Sequence, residues 1–297
     1  MSGKTIIATG ADGQLGRHLR LSCAGSADRW IFVGRDDLDI TDPRAIARLM
    51  DDTEASAVVN CAAYTDVEGA ESHRDYAMSV NGTAPGYLAE ACRERGAFLV
   101  HISTDYVFDG MSCRPYAEDH PTSPVNAYGV AKLAGERAVA ESGCRYVVLR
   151  TSWLYSMFGR NFVKTVLERT ARCDSMEVVY DQVGCPTYAG DLSEAIFCIV
   201  ENRLYEGNEG IYHYSGEGVC SWFDLARQTA ELAGHRGCTI EACRSDRFPT
   251  KARRPSFSVL DKSKFKDRFG IEIPYWRDSL AMCVKYLVNE RVPVEGE

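Results

Sequence analysis

Thr5-Ile6-Ile7-Ala8-Thr9-Gly10-Ala11-Asp12-Gly13-Gln14-Leu15-Gly16 decides the fold of this chain. A short apolar, β-branched run passes straight into glycines spaced G-x-x-G-x-x-G, and a helical pattern opens directly behind them. Glycine lets a backbone turn tightly and approach a ligand, while free amides and the dipole at a helix start favour an anion such as a pyrophosphate. The first gap is one residue longer than in the common G-x-G-x-x-G fingerprint. The turn predicts that Gly10, Asp12, Gly13, Gln14, Leu15 and Gly16 cradle a dinucleotide. A glycine-rich βα turn without a ligand is the alternative that the motif alone leaves open.

Working outward, Trp30–Val33, Ala57–Val59, Phe98–Ile102 and Tyr146–Leu149 are further apolar runs that alternate with helical patterns. Runs without polar alternation suit strands buried on both faces. The rhythm therefore predicts an α/β fold, a Rossmann-type doubly wound parallel sheet. Beyond residue 150 it loosens into a helix near 161–173, a strand around 176–180, a helix over 191–200 and helical pieces near 221–234 and 276–288. These predict a smaller C-terminal substrate-binding lobe. The expected division puts 1–150 and 175–202 in the dinucleotide lobe, and 151–174 and 203–297 in the substrate lobe. Tyr180–Thr187 should lie between them, because Gly184 and Pro186 end regular structure.

Composition narrows the class. A chain of 297 residues can bury a large core, and its net charge of -8 with no basic tract argues against a nucleic-acid partner. No apolar run approaches the ~20 residues of a membrane span, so no membrane partner is expected. Twelve cysteines without a C-x-x-C pair read as reduced thiols, several of them in apolar segments. Six histidines scattered without i, i+4 pairing argue against zinc. A cytoplasmic small-molecule enzyme, with a homodimer as a possible assembly, fits these features.

Ligands of open α/β sheets bind at strand carboxyl ends. Asn60-Cys61-Ala62-Ala63-Tyr64-Thr65 follows the third strand, where its small residues either leave room for a cofactor or pack tightly. Ser103-Thr104-Asp105 follows the fourth strand, and Tyr128-Gly129-Val130-Ala131-Lys132 begins the next helix. Four residues apart, Tyr128 and Lys132 share a helix face, so the ammonium should favour the phenolate and lower the tyrosine pKa. Lys132 could also hold a nicotinamide ribose. The Thr104 hydroxyl is placed to hydrogen-bond a carbonyl oxygen gaining charge. Thr104, Tyr128 and Lys132 are thus the catalytic candidates. After the second strand the signals for a dinucleotide's ribose conflict: Asp36 stands where an acid binds the 2'-hydroxyl of NAD, and Arg35 beside it could clamp the 2'-phosphate of NADP.

Together with Cys61–Glu68, Ser103–Gly110, Arg150-Thr151-Ser152-Trp153, Asp181–Thr187 and Arg254-Pro255, these blocks resemble the dTDP-4-dehydrorhamnose reductases of the extended short-chain dehydrogenase/reductase family over nearly the whole chain. The resemblance implies reduction of the 4-keto group of dTDP-4-dehydro-L-rhamnose to dTDP-L-rhamnose with either NADPH or NADH, and Arg35 beside Asp36 predicts a modest preference for NADPH. It implies that Asp39 and Ile40 lie by the adenine, that Ala63, Tyr64 and Thr65 touch the cofactor, and that Glu68, Asp105 and Trp153 face the sugar. Lys251, Arg253 and Arg254 form a basic cluster suited to the nucleotide-sugar pyrophosphate, with Arg254 matching the family's R-P pair and Lys251 equally readable as a solvated charge. Some family members dimerise through magnesium held by an acid inside the glycine loop. This chain has Leu15 there, which predicts no such metal.

Three rivals share the architecture. Dehydratases of this fold carry Thr-Asp-Glu, whereas here Tyr106 follows Thr104-Asp105. Epimerases keep their cofactor and show no net oxidation. A non-catalytic regulatory subunit like the β subunit of methionine adenosyltransferase would not need Thr104, Tyr128 and Lys132 together.

Overall fold

The computed structural model describes residues 3–289; Met1-Ser2 and the end of the expected substrate lobe, 290–297, lie outside the described residues. The main strands are β1 (Thr5–Thr9), β2 (Arg29–Val33), β3 (Ala57–Asn60), β4 (Phe98–Thr104), β5 (Arg145–Thr151), β6 (Ser175–Val179), β7 (Gly210–His213) and β8 (Thr239–Cys243). The helices are α1 (Gln14–Ser22), α2 (Pro43–Thr53), α3 (Val67–Ser72), α4 (Arg74–Met78), α5 (Ala84–Glu94), α6 (Ala127–Glu141), α7 (Phe162–Thr170), α8 (Ala189–Glu201), α9 (Trp222–Leu232), α10 (Ser263–Phe269) and α11 (Trp276–Asn289). Six strands form one parallel sheet in the order β7-β5-β4-β3-β1-β2.

The unbroken apolar runs follow from two cores, one on each face. Ile6 and Ala8 of β1 join Val59, Val100 and Leu149 against Leu15 and Leu19 of α1 and Ile196 and Ile199 of α8. Their neighbours Ile7, Val58, Leu99 and Val148 point the other way, against Met50 of α2 and Leu88 and Cys92 of α5. Each fully buried aliphatic side chain contributes ~1.5–3 kcal/mol, so both helix layers are held by residues alternating along the same strands. Because β2 and β3 flank β1 on opposite sides, the strand order reverses at β1 and opens a crevice at its carboxyl end.

Two strands fall elsewhere than the expected division placed them. β7 extends the large sheet beside β5, although 203–297 was assigned to the substrate lobe. β6 pairs with β8 in a separate two-stranded parallel sheet rather than with the dinucleotide strands. A short β-branched run signals a strand, but the tertiary contacts choose its partner. No helix among the described residues is long and apolar enough to cross a membrane.

Candidate active site

The glycine loop sits where β1 meets β3. Gly10 has φ of 66°, and a Cβ there would come within 2.6 Å of the Ala62 amide nitrogen, so only glycine lets these two strand ends approach. Thr9 donates to Asn60 Oδ1 at 2.7 Å, and the same oxygen accepts from the Ala62 amide at 3.2 Å. A single π turn over Ser79–Thr83 presents Asn81, whose side chain accepts from the Tyr64 amide and donates to the Tyr64 carbonyl, both at 2.8 Å. The Ala62–Thr65 stretch is therefore fixed from both sides.

A cavity of about 930 Å3 runs from this loop along the carboxyl edge of the sheet. Its wall includes Gly10, Asp12, Gly13, Gln14, Leu15, Arg35, Asp39, Ile40, Cys61, Ala62, Ala63, Tyr64 and Thr65 at one end. Thr104, Asp105, Tyr128, Lys132, Trp153 and Arg254 line the other. Two candidates are not on the wall. Gly16 packs beneath the loop, where a Cβ would strike the Gly10 carbonyl, and Glu68 pairs with Arg254 at 3.4 Å. Glu68 also accepts from the Lys251 amide at 2.9 Å, so α3 is fastened to the 251–254 segment.

The loop end fits a dinucleotide. Gly13 precedes α1 without a side-chain cap and the first turn holds no acid, so the opening amides of α1 are available to an anion. Arg35 lines the cavity and Asp36 does not. The Asp39 carboxylate accepts from both the Thr41 hydroxyl and amide, which holds its pKa low. Among the described residues no group of three or more His, Cys, Asp or Glu could hold a metal ion. Leu15 is buried in the core beneath the loop.

At the far end, Asn126 caps α6 by accepting from the Gly129 amide at 2.8 Å. A Cβ on Gly129 would lie 2.2 Å from the Tyr106 carbonyl, so the glycine after Tyr128 brings α6 against the turn behind β4. Lys132 is 2% exposed and donates to the Ile102 carbonyl at 2.6 Å. Burial brings its pKa down to about 8, with Glu136 one turn on pulling it back up. The expected depression of Tyr128 is corrected here. Burial, then the charge of Asp105, pushes its phenol well above the ordinary range, and only the Thr104 hydroxyl opposes them. Lys132, its ammonium bonded to the Ile102 carbonyl, is not among the groups that offset the cost of burying the phenolate.

Trp153 has φ of 48° and stacks on Trp222 with ring centroids 3.7 Å apart and planes 7° from parallel. Gly184 makes the seat, since a Cβ there would stand 2.6 Å from the Trp153 ring. Trp222 and Asn81 escaped sequence reasoning. Trp222 carries a weak signal, because it opens a helix behind the Ser221–Asp224 capping box, but nothing in the sequence joins it to Trp153.

A doubly wound parallel sheet, a glycine loop behind β1 and a tyrosine–lysine helix after β4 define a nicotinamide-dependent oxidoreductase of the extended short-chain class. The chain belongs to the RmlD substrate binding domain family, which it matches over residues 4–289. It is 39% identical over 297 residues to a dTDP-4-dehydrorhamnose reductase of Burkholderia thailandensis, covering 96% of this chain and 99% of that protein. A dTDP-4-keto-6-deoxy-D-glucose reductase of Streptomyces niveus is 38% identical over 285 residues, covering 95% and 96%. Among solved structures, the dTDP-4-dehydrorhamnose reductase of Bacillus anthracis in complex with NADP superposes with a TM-score of 0.89 at 34% identity, covering 95% of this chain and 98% of that one.

Proposed function

We propose that this enzyme reduces the 4-keto group of dTDP-4-dehydro-L-rhamnose to give dTDP-L-rhamnose, with NADPH as the preferred reductant and NADH also accepted. The observation that carries the reading is the convergence of Thr104, Tyr128 and Lys132 on the wall of a cavity that begins at the glycine loop. A bound reduced nicotinamide supplies the hydride. Tyr128 is the proton donor to the C4 oxygen, a role that suits a phenol kept protonated at neutral pH by burial. Thr104 steadies that oxygen as charge gathers on it, and Lys132, its ammonium held by the Ile102 carbonyl, supplies a buried cation at the same end of the cavity. Arg35 receives the 2'-phosphate of NADP, while Trp153 and Arg254 hold the sugar and its pyrophosphate.

The substrate lobe comprises the segments that carry Trp153, Trp222 and Arg254, and the six-stranded sheet is the cofactor lobe. All twelve cysteines are free thiols, which supports a reducing cytoplasmic setting. Reduction of a related dTDP-4-keto-6-deoxy sugar is the second reading, favoured by the Streptomyces niveus relative at almost the same identity. The test mixes the enzyme, NADPH and each purified dTDP-4-keto sugar in turn, following loss of reduced-nicotinamide absorbance. Fastest turnover with dTDP-4-dehydro-L-rhamnose supports the first reading, and preference for the D-glucose-derived ketone replaces it with the second.

A further inference from the structure

Thr104 has a single hydroxyl proton, and the structure commits it. The hydroxyl donates to Asp105 Oδ1 at 2.9 Å and accepts from the Tyr106 amide at 3.2 Å. While Asp105 is ionised, Thr104 therefore has no proton for an oxygen in the cavity. Asp105 itself is 2% exposed, and its Oδ2 lies buried without a well-formed hydrogen bond, the Ser258 hydroxyl beside it. A carboxylate buried in this way is costly, whereas the neutral acid can donate and so reverse the polarity of its bond to Thr104. Tyr128 lines the same cavity wall, close enough to Thr104 for the threonine hydroxyl to favour its phenolate. Carboxyl, hydroxyl and phenol thus all reach the cavity, with the hydroxyl bonded to the carboxyl and next to the phenol.

We propose that Asp105 holds the proton that reloads Tyr128, passing it through the Thr104 hydroxyl after each reduction; the proposal rests on the reaction assigned above. Once Tyr128 has protonated the substrate oxygen, Thr104 gives its proton to the phenolate and takes one from the Asp105 carboxylic acid. One O–H bond breaks on Asp105, one forms on Tyr128, and the Thr104 hydroxyl is regenerated. The negative charge moves from phenolate to carboxylate, which water reprotonates when product leaves.

The groups gathered here come from several elements. Tyr128 stands on α6, Tyr106 follows in the chain with Arg254 beyond it, Cys185 comes from the 183–187 segment, and Ser258 from the 256–260 segment. Burial pushes Tyr106 up to about 12 and raises Tyr128 and Cys185, so all three stay neutral near pH 7. Asp105, raised to about 7 by burial, is the member that titrates there.

The test is the pH profile of kcat with NADPH and the 4-keto sugar for wild type, Asp105→Asn and Asp105→Glu, with NADPH binding measured on each. The relay needs the protonated acid, so wild-type kcat should fall as pH rises through about 7 and again through about 8 as Lys132 discharges. Asp105→Asn should bind NADPH normally, lose at least ~10-fold in kcat and keep only the upper limb, and Asp105→Glu should restore the lower one. An Asn variant with wild-type kcat, or with the lower limb intact, overturns the relay. Should that variant fail to bind NADPH, a proton inventory on wild type decides: a curved dependence on the deuterium fraction supports several protons in motion, and a linear one overturns them. Wild type that oxidises no NADPH with any keto sugar removes the assigned reaction and the relay with it. Normal turnover with an unchanged Asn profile removes the relay alone.

Discussion

Replacing Arg150 by methionine tests how the catalytic groups are held. Arg150 Nε and Nη2 meet the two oxygens of Glu136 at 2.9 and 2.7 Å, and both side chains are at most 3% exposed. Ser103, the residue before Thr104, donates to the same carboxylate, and Glu136 lies one turn beyond Lys132 on α6. One ion pair therefore joins the ends of β4 and β5 to the catalytic helix. Arg150→Met leaves Glu136 as a buried carboxylate without its cation, which costs ~3–5 kcal/mol. For a chain of 297 residues, at ~2.1 cal/mol/K of unfolding entropy per residue, each kcal/mol lowers Tm by ~1.6 °C, so the variant should melt roughly 5–8 °C earlier. The double variant Glu136→Leu/Arg150→Met removes both charges and should regain most of that loss, since well-packed apolar pairs often match buried ion pairs. Its catalysis should not recover in step. Glu136 helps to keep Lys132 protonated, so without it the lysine discharges below about 8 and the high-pH limb of kcat moves to lower pH. Urea denaturation followed by circular dichroism gives the stabilities, and the pH profile gives the limb. An Arg150→Met protein within about 1 kcal/mol of wild type would refute the reasoning, because the carboxylate would then have found another partner.

Further outcomes follow from the cavity wall. Tyr128→Phe should bind NADPH as wild type does and lose ~100-fold to 10,000-fold in kcat by stopped flow; turnover within a few fold of wild type would remove Tyr128 as proton donor. Arg35→Ala should lose at least ~10-fold in kcat/KM with NADPH and keep its value with NADH, since a hydrogen bond to a charged group is worth ~1.5–3 kcal/mol. Equal losses with both cofactors would mean that Arg35 does not meet the 2'-phosphate. Trp153→Ala and Trp222→Ala should each raise the sugar-nucleotide KM, and the double variant should do little more than either, because each ring is seated by the other. Additive effects would show two independent contacts.

The sheet was readable because its strands are buried on both faces. Ile6, Ile7 and Ala8 must all be apolar when two helix layers cover them, and that leaves an unmistakable run. The placement of β6 and β7 was not readable, since Ser175–Val179 and Gly210–His213 carry only local propensity and their partners come from distant parts of the chain. The same divide separates the parts of the site. Cavity residues directly behind β1, β3 and β4 could be found from the rule that ligands gather at strand carboxyl ends. Trp222, Asn81 and the Glu68–Arg254 pair bring together residues with no sequence spacing to betray them. Glu136 was within reach, at i+4 from Lys132, but its partner is a residue of the next strand.

The misjudged pKa of Tyr128 carries the most chemistry. Helical spacing alone sets a cation beside a phenol and predicts easy ionisation. In the folded chain the ammonium is aimed at the Ile102 carbonyl, while burial and the Asp105 carboxyl both oppose the phenolate. An enzyme working as an alcohol oxidant needs that phenolate as a base, but one working as a ketone reductant needs the phenol as an acid. Raising the tyrosine keeps it loaded with its proton at neutral pH, which favours the reductive direction at the start of each cycle. It also makes the phenolate left after transfer an unstable species, and that instability draws a proton back from the nearest acid. The neutral form of Asp105, one hydroxyl away, supplies it. The same burial that spoils a simple tyrosine–lysine base therefore suits a reductase, provided that a second buried acid stands behind the first.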